Sequence, residues 1–412
     1  MAHRLLKRAD ALWCTQFYGN MGQNSSLDLF IRADSLGWAK AASRGFAADL
    51  FPFRAPCDTV LGDSLACDAS IITGVAPSQH GHFAPFVFDP ENSPFGWARG
   101  LGWIPEPIAT HRIVRGRLSR WVAARGHFDG DFQLYRFPFS RLPWFDCAEK
   151  LDIYLPGGIN GGQATIFENW EDSGNPWMRS NWRAGDAANI TALKEEIDRA
   201  EIRLAWLSLA GLDSAMHGHT TSGAATDAAF AQVERVLREI HALAQTRYRE
   251  VRIHLFGNHG ITNTEGLSEM MLDFEKANFA FPRDCAVVWD FTMARFWFPG
   301  GDAIREHICD WLRGRAEGRI LTEEELAAWG CDFPGHRYGE VIFLLKSGTI
   351  FAPSFVSRGG LPAMHGYDPT QPDSRACWLI THPCDNAPSR IDGIYRVMRA
   401  AAEKITRTPA GG

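Results

Sequence analysis

The strongest constraint on this chain is a set of apolar runs that end on small, acidic or histidine residues, with helix-length segments between them. Residues 27–33 read as a short buried strand that stops at Asp34. A second run, 202–209, aims Asp213 at its far end. In a third, Val251, Ile253 and Leu255 alternate with Arg252 and His254, then hand over to Asn258 and His259. Between them, 187–200 has helical spacing with Asn189 as a candidate cap. Residues 226–245 set Phe230, Val233, Leu237, Ile240 and Leu243 on one side of a helix. A hairpin is expected over 341–352, turning at Lys346 to Gly348, and a last strand over 376–381. Strand and helix in alternation imply a mostly parallel central sheet with helices on both faces, an α/β architecture. Open sheets of this kind bind ligands beyond the carboxyl ends of their strands, where Asp34, Asp213 and His259 fall.

At 412 residues the chain is long for one core, yet α/β domains reach this length. A single domain, 1–412, with an elaborated insertion is the expected organisation. The insertion is assigned to 83–182, which holds 19 of the 49 aromatic residues. That is about twice the density elsewhere, so the segment should pack its own aromatic core over the sheet edge, with some rings available to line a substrate pocket. Residues 1 to about 26, with Trp13, Phe17 and Tyr18, are read as an edge element. A net charge of -6 gives no hint of a nucleic-acid-coating surface. No apolar run approaches the roughly 20 residues of a membrane span. The polar, basic start and nine scattered cysteines without C-x-x-C spacing point to a cytoplasmic protein with no disulfide framework.

The residues with chemical potential cluster at run ends. Asp213 and His217 are four apart, a spacing that sets both on one face of a helix. Asn258 and His259 sit between Gly257 and Gly260, and His365 precedes Gly366. Ser64 opens a helical stretch that ends at Gly74, a plausible residue for a left-handed stop. A helix start presents free N–H groups and a positive dipole end, which favour a phosphoryl oxygen. A serine there is also a common cap. His219 faces away from His217 on most backbones, and His80 and His82 lie in a turn-rich exit.

In order and spacing these segments resemble the alkaline phosphatase superfamily, in particular its type I phosphodiesterase and nucleotide pyrophosphatase branch, over residues 27 to about 400. The resemblance implies that two divalent ions, zinc or else manganese, are bound. Asp213, His217 and His365 would hold one. Asp34, the Ser64 oxygen, Asn258 and His259 would hold the other. Ser64 would be the nucleophile, giving a phosphoseryl intermediate. Cys67 is followed by neither the proline nor the arginine of a sulfatase motif, and it stands where nucleotide pyrophosphatases carry an asparagine. Asn258 departs from the family, which expects Asp. Three explanations remain open: tolerance, a metal-impaired binding relative, or a substitution made to trap a complex. The expected function is a metal-dependent phosphoryl-transfer hydrolase, foremost a phosphodiesterase of a bulky, partly apolar phosphate ester. A phosphomonoesterase, a phosphotransferase or a ligand-binding relative is the alternative.

Overall fold

The computed structural model describes residues 25–384 and 386–407; the edge element expected around Trp13, Phe17 and Tyr18 lies outside them. Its centre is a six-stranded sheet built from β1 (Ser26–Ala33), β2 (Phe53–Cys57), β3 (Trp177–Arg179), β4 (Leu204–Leu209), β5 (Glu250–Phe256) and a last strand at Ala376–Ile380. The spatial order is β2, Ala376–Ile380, β5, β1, β4, β3. The four strands β5, β1, β4 and β3 run parallel, and Ala376–Ile380 is antiparallel to both its neighbours.

Period-two alternation divides β1 between the two faces. Leu27, Leu29, Ile31 and Ala33 pack with the helices Asp186–Arg199 and Ala224–Arg247. Phe30 packs on the opposite face with residues from the helices Ser64–Thr73, Ile166–Asp172 and Ile394–Arg407. Arg32, and Asp34 just past the end of the strand, share the parity of Phe30, and Arg32 reaches Asp68 on the Ser64 helix.

A second layer is the antiparallel sheet of β6 (Ala286–Trp289), β7 (Met293–Trp297), β8 (Gly318–Ile320) and β9 (Val341–Leu345), in the order β6, β7, β9, β8. The aromatic segment packs here. Phe137 lies 4.5 Å from Phe86, 4.9 Å from Phe145 and 4.8 Å from Phe355, ring centre to ring centre.

Two expectations shift. The segment 83–182 does not stay apart to its end. Thr165 opens a capping box, the helix Ile166–Asp172 packs Trp170 near Phe30, and β3 joins the central sheet. Aromatic density does not distinguish rings that face the sheet from rings of an insertion. Residues 341–352 are not a paired hairpin either. β9 pairs with β7 and β8, whereas Thr349–Phe351 pairs in parallel with Gly266–Ser268. Apolar content and a turn mark strand ends without naming the partner.

Candidate active site

Ser64 is the first residue of its helix, and the cap before it is Asp63, whose carboxylate accepts from the Ala66 N–H. The capping role is thus filled, and the Ser64 hydroxyl is available for other contacts. The helix ends at Gly74 in the left-handed region, φ 73°. Ser64 Oγ lies 2.9 Å from His259 Nε2 and 3.4 Å from His365 Nε2. The His259 and His365 rings stack with centroids 3.9 Å apart. His259 Nδ1 lies 3.0 Å from the Gly260 carbonyl oxygen. A carbonyl can only accept, so Nδ1 carries the proton and the Nε2 lone pair faces Ser64. Burial holds His259 below the usual imidazole range, against the pull of Asp34 and Asp213.

Beside Ser64, Asp213, His217 and His365 offer three donor atoms within 4.8 Å of one another. The first two lie one turn apart on the helix Gly211–Gly218, with Asp213 Oδ1 3.2 Å from His217 Nε2. His217 Nδ1 donates to the Ala363 carbonyl oxygen at 2.8 Å, which leaves Nε2 to face the cluster. Ser35 Oγ donates to Asp213 Oδ1 at 2.6 Å. Burial raises the Asp213 carboxyl, but the His217 hydrogen bond and neighbouring imidazoles win and hold it well below the carboxylate range. Burial and nearby imidazoles keep His365 neutral, and its Nδ1 is buried with no partner among the described residues. Two imidazoles, a carboxylate and an unmet nitrogen fit a divalent ion such as zinc.

The donor set expected for a second ion does not fit one. Asn258 Oδ1 accepts from the backbone N–H groups of Ser35 at 3.1 Å and His259 at 3.0 Å. Its amide group therefore faces the other way and donates to Asp34 Oδ1 at 2.9 Å and Asp68 Oδ1 at 3.3 Å. Arg32 Nη1 lies 2.9 Å from Asp34 Oδ2 and 3.1 Å from Asp68 Oδ1, in ion pairs without hydrogen-bond geometry. Tyr154 donates its hydroxyl to Asp68 Oδ2 at 2.8 Å. Burial pushes the Asp68 carboxyl up to about 6 against the pull of Arg32. Asp34 thus accepts from Asn258 at Oδ1 and faces the Arg32 cation at Oδ2, and both hydrogen bonds to the Asn258 oxygen come from the backbone.

All seven expected residues, Asp34, Ser64, Asp213, His217, Asn258, His259 and His365, converge beyond the carboxyl ends of β1, β4 and β5. Arg32, Ser35, Asp68 and Tyr154 join them without having been singled out. Arg32 carried a signal, since a lone arginine inside an apolar strand two residues before Asp34 must share its face. His80 and His82 are structural: His80 Nε2 is 2.9 Å from Ser70 Oγ, and His82 bonds Asn160. His219 is exposed. Asp290 and Arg295 form a buried pair at 2.7 Å, with Arg295 also donating to the Phe86 carbonyl, so they tie the second layer together. A cavity of about 430 Å³ opens on Ser64, Asp213, His217 and His365, walled by Phe83, Tyr135, Phe291, Met293 and Leu361 together with Asp63 and Glu149.

Residues 63–295, more than half of the chain, match the family model for type I phosphodiesterase / nucleotide pyrophosphatase. No curated protein sequence matches. Among solved structures, human ectonucleotide pyrophosphatase / phosphodiesterase 5 superposes with a TM-score of 0.64 at 11% identity, over 92% of this chain and 95% of that one. The murine enzyme, inactive and in complex with AMP, gives 0.62 at 12% identity over the same shares. Phosphonoacetate hydrolase from Sinorhizobium meliloti 1021, bound to phosphonoformate, gives 0.54 at 13%, over 93% and 96%. At these identities the superpositions establish the shared α/β fold, and the family match reaches the Ser64 helix, the Asp213 helix and the Asn258–His259 turn. The chain belongs to the type I phosphodiesterase / nucleotide pyrophosphatase family of the alkaline phosphatase superfamily.

Proposed function

We propose that this protein is a metal-dependent hydrolase of phosphate esters, foremost a phosphodiesterase, working through a phosphoserine at Ser64. The observation that carries the reading is Ser64 itself: a helix-start hydroxyl, not used as a cap, between two neutral imidazoles and beside a three-donor cluster. Asp213, His217 and His365 would hold a divalent ion, zinc or manganese. Such an ion supplies positive charge to phosphoryl and leaving oxygens. Ser64 Oγ forms the bond to phosphorus as the ester P–O bond breaks, and the electron pair leaves on the ester oxygen. Water then cleaves the phosphoserine and frees Ser64. N–H groups at the helix start favour the phosphoryl oxygens throughout. Apolar walls from Phe83, Phe291, Met293 and Leu361 support a bulky, partly apolar ester.

Hydrolysis of bis-p-nitrophenyl phosphate beside the mono ester, with Ser64→Ala and with chelator, tests this. Ser64-dependent, chelator-sensitive diester cleavage is expected. Cleavage of the mono ester alone would make the enzyme a phosphomonoesterase. The closure around Asp34 favours one rival, a ligand-binding relative without turnover; zinc-saturated protein that hydrolyses neither ester would establish it.

A further inference from the structure

We propose that the Arg32 guanidinium and the Asn258 amide take the place of a second metal ion, so that the protein carries one ion and His259 receives the Ser64 proton. This rests on the phosphoserine reading for its chemistry, though not for its ion count.

Geometry and charge both support it. A second ion would need lone pairs from Asp34 and an oxygen from residue 258, at about 2 Å. Asp34 Oδ1 instead accepts from Asn258 Nδ2, and Oδ2 faces Arg32 Nη1, each at 2.9 Å. The Asn258 amide cannot turn its oxygen inward without breaking bonds from the Ser35 and His259 backbones and setting two oxygens against each other. The cation that two buried carboxylates require is already present, because Arg32 lies between Asp34 and Asp68 and is itself buried. β1 fixes this arrangement, since it holds Arg32 near its end and delivers Asp34 one residue past Ala33, where the Asp34 N–H still bonds the Leu209 carbonyl oxygen. A dication brought to Asp34 would meet a fixed positive charge and an N–H donor. A bound ion would also compete for the Nε2 lone pair of His259, the only ring nitrogen free to accept, which faces Ser64 Oγ at 2.9 Å.

The chemistry then balances without a second ion. As Ser64 Oγ bonds to phosphorus and the ester bond breaks, the hydroxyl proton moves to His259 Nε2. The departing oxygen keeps the electron pair and takes a proton from solvent. In the second step water adds to phosphorus, Ser64 Oγ leaves and recovers its proton from His259, and the water gives up a proton to solvent. The imidazolium formed between the steps lies 3.5 Å from Asp34 Oδ1, which supplies the compensating negative charge.

The test counts ions on the full chain. Protein saturated with zinc and freed of excess is analysed for bound metal, and bis-p-nitrophenyl phosphate turnover is followed in parallel. One ion per chain is expected in the parent, and less than one in His365→Ala. His259→Ala should keep its one ion while kcat falls about a hundredfold or more, the usual contribution of a general base. Two ions in the parent, none in the parent, or loss of an ion in His259→Ala would each overturn the proposal. The pair Arg32→Ser with Asn258→Asp should raise the count to two; if that variant does not fold, His259→Ala still decides. One ion with no Ser64-dependent hydrolysis would reject the proton transfer and the phosphodiesterase reading together, and leave the ion count standing.

Discussion

The two halves of this site, built from similar residue types, are finished differently. Around His365, donors arrive from the helix Gly211–Gly218 and from residues near 365, face the cavity, and leave a nitrogen unmet. The side chains of Asp213 and His217 are 19% and 20% exposed. Around Asp34, the side chains of Arg32, Asp34 and Asp68 are 7%, 11% and 7% exposed; Arg32 is ion-paired with both carboxylates, and Asn258 and Tyr154 donate the hydrogen bonds. Residue type alone therefore does not make a metal site. What matters is whether the donors converge with valence left over, and in this protein only the His365 half passes that test among the described residues.

Removing Ser64, which stands between the halves, should have the largest effect. Ser64→Ala is expected to lower diester turnover on the order of 10³-fold or more, as losses of a covalent nucleophile do. A residual rate near that of the parent would mean that the hydroxyl takes no part. Next comes the contrast in stability. Arg32→Met strands two buried carboxylates and should destabilise the fold by about 3–5 kcal/mol in denaturant unfolding. Asp213→Asn, in protein stripped of metal, should cost less than that, because the side chains of Asp213 and His217 are each about one-fifth exposed and the amide oxygen can still accept from Ser35. Equal losses would erase the distinction between the halves.

Zinc sharpens it further. At a hundredfold excess over its dissociation constant, zinc should stabilise the parent by about 2.7 kcal/mol, seen as a higher melting temperature. His365→Ala should lose most of that rise, whereas Asn258→Ala should retain it. The smallest effect is on pH. In stripped protein, His217 is raised above 6.5 because its bond to Asp213 outweighs burial, so its contribution is full below 6.5 and lost as pH climbs through the raised value. Asp213 is depressed below 3.8, so its contribution is full above 3.8 and lost on acidification. The pair should thus stabilise most between these limits, and Asp213→Asn should flatten that window.

Much of this was legible in the chain because strand ends carry their own signature. Asp34, Asp213 and His259 follow apolar runs, so a parallel sheet had to bring them to one edge. The spacing of Asp213 and His217 fixed them on one helical face. The state of the second half was hidden, because it depends on contacts distant in sequence. Asn258 was recognised as a departure, but which way its amide turns is set by the Ser35 and His259 backbones. Arg32 was visible as a charge within β1, yet its partner Asp68 sits on a separate helix. The limits of the aromatic segment failed for a related reason: Trp170 and Phe137 look alike in sequence, and only tertiary packing assigns one to the central sheet and the other to the second layer.

The most direct test of the contrast between the halves is an anomalous difference map from crystals grown in zinc, recorded on both sides of the zinc absorption edge. One peak among Asp213, His217 and His365, with Arg32 still against Asp34, is the result predicted. A second peak bonded to Asp34 and His259, with the Arg32 guanidinium displaced, would contradict it.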